Sequence, residues 1–166
     1  SCLSYSGKEE KHLGNALLTG LRGEIVKPEE IANGNFQVIV AGSSFAKGSS
    51  RIHAPFALKE AGVNIVIADA ERIFEENCAT CGIYLLSLET PAAGKILQGK
   101  SPSIEEVLAD MPMITQDIMR SGGLLSYFKG VEEGKIIPPG NSVEPRPMTI
   151  TEKIIARKLI NRGLNN

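Results

Sequence analysis

The residues best equipped for chemistry sit together in Gly48-Ser49-Ser50-Arg51. Arginine offers a planar fork of donors that matches a carboxylate or phosphate. A serine hydroxyl can accept a proton when nearby positive charge stabilises its alkoxide. The segment is therefore an anion-binding loop with a candidate serine acid/base. Its flanks are blander: Lys47 reads as a solvated loop lysine, and His53 as a structural hydrogen-bonding residue in a first helical turn. Two other groups compete for attention. Cys78 and Cys81 have the C-x-x-C spacing of redox or zinc sites. No second cysteine pair exists and the third cysteine, Cys2, is remote, so a redox or zinc protein stands as a rival reading. Glu75-Glu76 and Glu132-Glu133 read as solvated faces, since an acid/base pair would need a pocket that the sequence does not indicate.

The loop can work only if its surroundings aim it. The apolar run Phe36–Val40 before it reads as a buried strand, extending to 41. After it Phe56, Ala57, Leu58 and Ala61 share one face of a helix over about 53–61, stopped at Gly62. A strand, a glycine-containing loop and a helix N-terminus in that order point backbone N–H groups and the positive end of the dipole at one spot. Val63–Ala68 is a second strand, rich in β-branched residues. Asp69 can cap a helix over about 70–77, Gly82 ends that element, and residues 83–88 form a third strand. Strands and helices alternating at this spacing predict βαβ units, a parallel sheet and a ligand at the carboxyl ends of the strands.

Elsewhere the pattern is looser. Residues 16–26 read as a strand with a turn, Pro28–Ile31 as a helical start, and Asn33-Gly34-Asn35 as a turn. Thr90–Gln98 reads as a helix ended by Gly99. Ser103-Ile104-Glu105-Glu106 is a capping box, residues 113–120 read as a helix stopped by Gly122-Gly123, and Leu124–Phe128 as a short strand or buried turn. Pro138 to Pro147 forms a proline-rich linker. Thr149-Ile150-Thr151-Glu152 is a second capping box, opening a helix with little to pack against.

Composition narrows the class. A chain of 166 residues, 42% hydrophobic and 22% charged, suits one globular domain with a tail. A net charge of -1 gives no footprint for nucleic acid or an anionic membrane. No apolar run approaches the roughly 20 residues of a membrane span. The N-terminus lacks a signal-peptide core, and the odd cysteine count is no disulfide framework, so the chain reads as cytoplasmic and reduced.

Residues 36–88 resemble the small subunit, or swivel domain, of the aconitase and isopropylmalate dehydratase superfamily. The resemblance is carried by Gly48-Ser49-Ser50-Arg51 with His53-Ala54-Pro55, Ala57-Leu58-Lys59 and Ala61-Gly62. It continues through Val66-Ile67-Ala68, Arg72-Ile73-Phe74, Asn77-Cys78 and Gly82-Ile83. Met148–Arg157 resembles the opening helix of the large, catalytic subunit of the same superfamily. The resemblance implies an α/β swivelling β/β/α-type domain over 1–137, with a core parallel sheet flanked by helices and a second small antiparallel sheet. Residues 138–147 would be a linker, and 148–166 the start of a large-subunit-like region. It further implies the swivel half of a hydro-lyase for a hydroxy di- or tricarboxylic acid. Ser49 would be the base, Arg51 the carboxylate clamp, and Gly48 and Ser50 would contribute binding. A [4Fe-4S] cluster would sit in the large subunit or domain, none of its ligands coming from this chain, and the isolated chain would be inactive. The sequence leaves open which hydroxy acid is used.

Two positions depart from the family. Ile52 stands where an acidic residue usually follows the arginine, and residues 1–35 lack the usual Asp- and Thr-rich opening. Arg22 is a stand-in for a substrate-choosing residue there. Ile52 also keeps open a non-catalytic carboxylate- or phosphate-binding module.

Overall fold

The computed structural model describes residues 13–47, 51–138 and 147–160. Three short strands form one sheet: β1 (Val38–Val40), β2 (Ile65–Ile67) and β3 (Tyr84–Leu86). They run parallel in the order β1-β2-β3, with Val38 opposite Ile65 and Ile65 opposite Tyr84. Each crossover is a helix: α2 (His53–Glu60) joins β1 to β2, and α3 (Arg72–Cys81) joins β2 to β3.

Alternation along the strands explains why both faces are covered. Val66 and Ala68 face one way, with Ile39 and Leu85, and pack with Leu58, Phe74, Cys78, Cys81 and Ile83. Ile67 and Leu86 face the other way, with Val38 and Ile65, and meet Ala92, Ala93 and Ile96 of α4 (Pro91–Leu97). Strands covered on both faces carry near-continuous apolar runs, as here. Val107 of α5 (Ile104–Leu108) completes the second cluster.

The capping boxes form as the sequence predicts. Ser103 Oγ accepts from Glu106 N–H at 3.2 Å while a Glu106 carboxylate oxygen accepts from Ser103 N–H at 2.9 Å. Lys95 reaches Glu106 as well, and these bonds hold its carboxyl below the ordinary range. Thr149 and Glu152 make the equivalent exchange at the head of the C-terminal helix Ile150–Ile160, whose Ile150 and Ile154 are exposed.

Several expectations are corrected. Residues 16–26 form turns after a 3-10 turn at Gly14–Ala16, not a strand. Leu18, Gly23 and Glu24 take positive φ, and Leu21 N–H bonds back to Leu18, which no strand allows. Pro28-Glu29 precedes a four-residue helix, α1 (Glu30–Asn33). Asp69 does not cap α3: the N-cap is Glu71, without a side-chain cap, and Asp69 accepts from Ser87 Oγ at 2.9 Å. After α6 (Met113–Arg120) comes a helix, α7 (Leu124–Glu132), not a strand or turn. Its buried Tyr127 and Gly130 lie three residues apart, which is helical spacing. The antiparallel second sheet does not occur among the described residues. With α8 (Ile150–Ile160) the helices number eight among the described residues, and none is long and apolar enough to cross a membrane.

Candidate functional site

The carboxyl ends of the three strands form one rim. Ala41 N–H donates to Ile67 O at 2.9 Å and Ala68 N–H to Leu86 O at 3.0 Å, so the ladder runs one residue past β1 and β2. Beyond β1 the chain enters the loop, beyond β2 lies Asp69, and beyond β3 lies Ser87. Thr90 then caps α4, accepting from Ala93 N–H while donating to Ser87 O.

The loop leaves the sheet at Ala41 and turns through residues 43–47. Phe45 and Ala46 lean on the core, and Phe45 meets the Phe74 ring edge-on, 5.8 Å between centroids. Lys47 is exposed, as expected. Gly48, Ser49 and Ser50 lie outside the described residues. Arg51 is exposed at the turn that enters α2, on the side of the β1 carboxyl end. Among the expected binding residues, Arg51 is thus the one the structure positions.

The helix start beside Arg51 is weaker than the sequence suggests. Its N-cap is Ile52, 37% exposed, whose side chain offers no oxygen to the first turn. Pro55 is buried within that turn and lacks an N–H. His53 opens the helix half-buried. Exposed Lys47 and Arg51, and not the helix start, therefore supply the positive charge on the described part of the loop. Arg22, the stand-in from the N-terminal segment, is exposed.

The cysteines belong to the core. Cys78 and Cys81 are buried free thiols on α3, packed with Phe74 and Ile83. Burial pushes the Cys78 thiol up to about 12, with Cys81 and Glu75 adding to it. Burial also raises Cys81, opposed by Lys59. Metal ligation and disulfide exchange need thiolate, and this environment disfavours it. Among the described residues no three His, Cys, Asp or Glu side chains converge as a metal site. The acidic pairs are solvated as expected: Glu76 pairs with Arg72 at 2.9 Å and Glu133 with Lys135 at 2.6 Å, all on the surface.

Asp69 and Ser87 are rim residues that the sequence reading missed as a pair. Each directly follows a strand run or its last residue, and parallel pairing of β2 with β3 brings them together; that position was the available signal.

The model of the aconitase C-terminal domain family matches residues 23–92. The 3-isopropylmalate dehydratase small subunit 1 of Archaeoglobus fulgidus is 32% identical over 138 residues, covering 75% of this chain and 83% of the relative. The small subunit 2 of the same organism is 39% identical over 103 residues, covering 55% of this chain and 62% of the relative. A crystal structure of 3-isopropylmalate dehydratase from Methanocaldococcus jannaschii aligns with 74% of this chain and 89% of its own at 24% identity, with a TM-score of 0.46. On the extent of the match to the small subunit 1 of Archaeoglobus fulgidus, the chain belongs to the aconitase-related family of 3-isopropylmalate dehydratase small subunits.

Proposed function

We propose that this chain is the swivel half of a hydro-lyase that dehydrates and rehydrates a hydroxy di- or tricarboxylic acid, 3-isopropylmalate being the first substrate to test. The observation that carries the reading is Arg51: an exposed guanidinium at the sheet's carboxyl rim, in a chain related to dehydratase small subunits. Arg51 binds a substrate carboxylate through two parallel N–H donors. Ser49 takes the proton from the carbon beside that carboxylate, and the hydroxyl departs from the neighbouring carbon, leaving a C=C bond. Water adds back in the reverse sense. Gly48 and Ser50 hold the substrate from the same loop. Arg51, close in sequence to Ser49, stabilises its alkoxide electrostatically.

The site is completed by a large subunit or domain that carries a [4Fe-4S] cluster, none of whose ligands this chain provides. When bound, that cluster supplies Lewis acidity to the departing hydroxyl. Residues 1–137 are the swivel domain, 138–147 a linker, and 148–166 the start of a large-subunit-like region. The work is cytoplasmic and belongs to amino-acid biosynthesis.

The test is reconstitution. Dehydratase activity is measured for the chain alone, for the chain with its large subunit, and for Ser49→Ala and Arg51→Lys in the complex. The chain alone is inactive, the complex active, Ser49→Ala loses at least 100-fold in kcat, and Arg51→Lys raises KM more than it lowers kcat, because lysine loses the bidentate fork. Activity of the isolated chain, or full activity of Ser49→Ala, refutes the assignment. Ile52 favours a second reading, a carboxylate- or phosphate-binding module without chemistry. Calorimetry with a tricarboxylate against inorganic phosphate, on the wild type and Arg51→Ala, separates the two: binding in an inactive complex supports the module.

A further inference from the structure

We propose that Phe45 is a positioning residue for the loop that carries Ser49 and Arg51; the proposal rests on the hydro-lyase reading and deepens it. The Phe45 ring stands edge-on to Phe74, at 5.8 Å and 85°, and Phe74, on α3, is buried in the core cluster with Leu58 of α2. Directly after it Ala46 takes φ 59°, the left-handed region that alanine avoids. A non-glycine residue stays there only when its surroundings over-determine the backbone. Here those surroundings are the core contacts of Phe45 and of Ala46 itself. Beyond Arg51, buried Pro55, Ala57 and Leu58 seat α2 on the same side of the sheet. The chain is thus fastened to the core at Phe45 and Ala46 before residue 48 and at α2 after residue 51, and Phe45 is the fastening before the chemistry.

Fastening matters because a catalytic group acts only near its productive geometry. A misplacement of about 1 Å by a distant change can cost on the order of 100-fold in rate. A ring that merely filled space would change stability and leave turnover per folded molecule alone. A ring that aims the loop changes turnover first.

The experiment compares wild type, Phe45→Ala and Phe45→Tyr in complex with the large subunit, using 3-isopropylmalate as probe and correcting for folded fraction by circular dichroism. Phe45→Ala lowers kcat by about 10- to 100-fold with a smaller change in KM, and Phe45→Tyr, which keeps the ring, restores kcat to within about threefold. Amide hydrogen exchange on the same proteins needs no activity: in Phe45→Ala, residues 46–47 and 51–52 exchange at least about tenfold faster while Val66 in β2 is unchanged. Unchanged loop exchange, or unchanged kcat per folded molecule in an active complex, overturns the proposal. A wild-type complex inactive on hydroxy acids refutes the hydro-lyase reading instead, and the exchange result still decides the role of Phe45.

Discussion

Replacing Gly82 by alanine should be among the costlier single changes in this chain. Gly82 ends α3 at φ 74°, and an added Cβ would fall 2.4 Å from Gly122 O, 2.6 Å from Gly122 C and 3.1 Å from Gly123 N. All three are backbone atoms in the turn between α6 and α7. That turn is itself held by Gly122 N–H to Met119 O and Gly123 N–H to Ile118 O. The approach is equally close from the other side, where a Cβ added to Gly123 would meet Thr80 O at 2.8 Å and Gly82 N at 3.1 Å. The left-handed conformation costs an alanine about 1 kcal/mol. Moving packed backbone by about 1 Å to reach ordinary contact adds about 1–3 kcal/mol. Gly82→Ala should therefore lose about 2–4 kcal/mol in urea unfolding, and roughly 4–16 °C in Tm. Gly99 supplies the control: its φ is 73°, and an added Cβ meets nothing within 4 Å. Gly99→Ala should carry the conformational cost alone, about 1 kcal/mol. If the two variants unfold at the same urea concentration, the close approach of α3 to the α6–α7 turn is not present in solution, and the reasoning fails.

Three further outcomes are expected. Ala46→Gly relieves about 1–2 kcal/mol of left-handed strain and gives back roughly 0.4–1 kcal/mol of unfolded-chain entropy, so the urea midpoint should rise slightly; a clear fall would contradict the φ of Ala46. Cys78 titrates near 9.0 when unfolded and near 12 when folded. The folded chain thus keeps a proton that the unfolded chain loses, and stability falls as pH rises through that window, by about 1 kcal/mol between pH 8 and 10. Cys78→Ala should flatten that slope in urea titrations at the two pH values. Tyr127 buries its hydroxyl with no hydrogen-bond partner among the described residues. Tyr127→Phe should therefore raise stability by about 1 kcal/mol in the same assay, and a loss would mean the hydroxyl is paired.

The central βαβαβ run was legible because its signals agree. Apolar runs at 38–40, 65–67 and 84–86 are separated by helical patterns and closed by Gly62 and Gly82 at positive φ. Elsewhere local signals conflicted. Leu17, Leu18 and Leu21 suggest a strand, yet Gly20, Gly23 and several positive φ values make turns. Leu124-Leu125 looked like a strand because two adjacent apolar residues fit either period; Leu125 proves exposed while Tyr127 is buried. Asp69 is a good cap by residue type, but its place at the end of β2 offers it Ser87 from the neighbouring strand, a contact invisible to local pattern. The strand-loop-helix order that leads to Arg51 was readable. The Phe45–Phe74 contact was not, because it joins residues 29 positions apart through the core.

The sheet's order, β1-β2-β3, winds steadily in one direction. Open α/β sheets commonly hold ligands in the gap created where the winding reverses and two neighbouring loops part. No such parting occurs among these three strands, so the winding of the sheet itself opens no crevice at their carboxyl ends, which form a ledge. A small acid resting on that ledge stays bathed in water on its outer side, where a guanidinium's grip is weakened by the high dielectric. A second body closing over the ledge would expel that water and strengthen every charge–charge contact on it at once, so a carboxylate there would be held tightly only when two bodies meet.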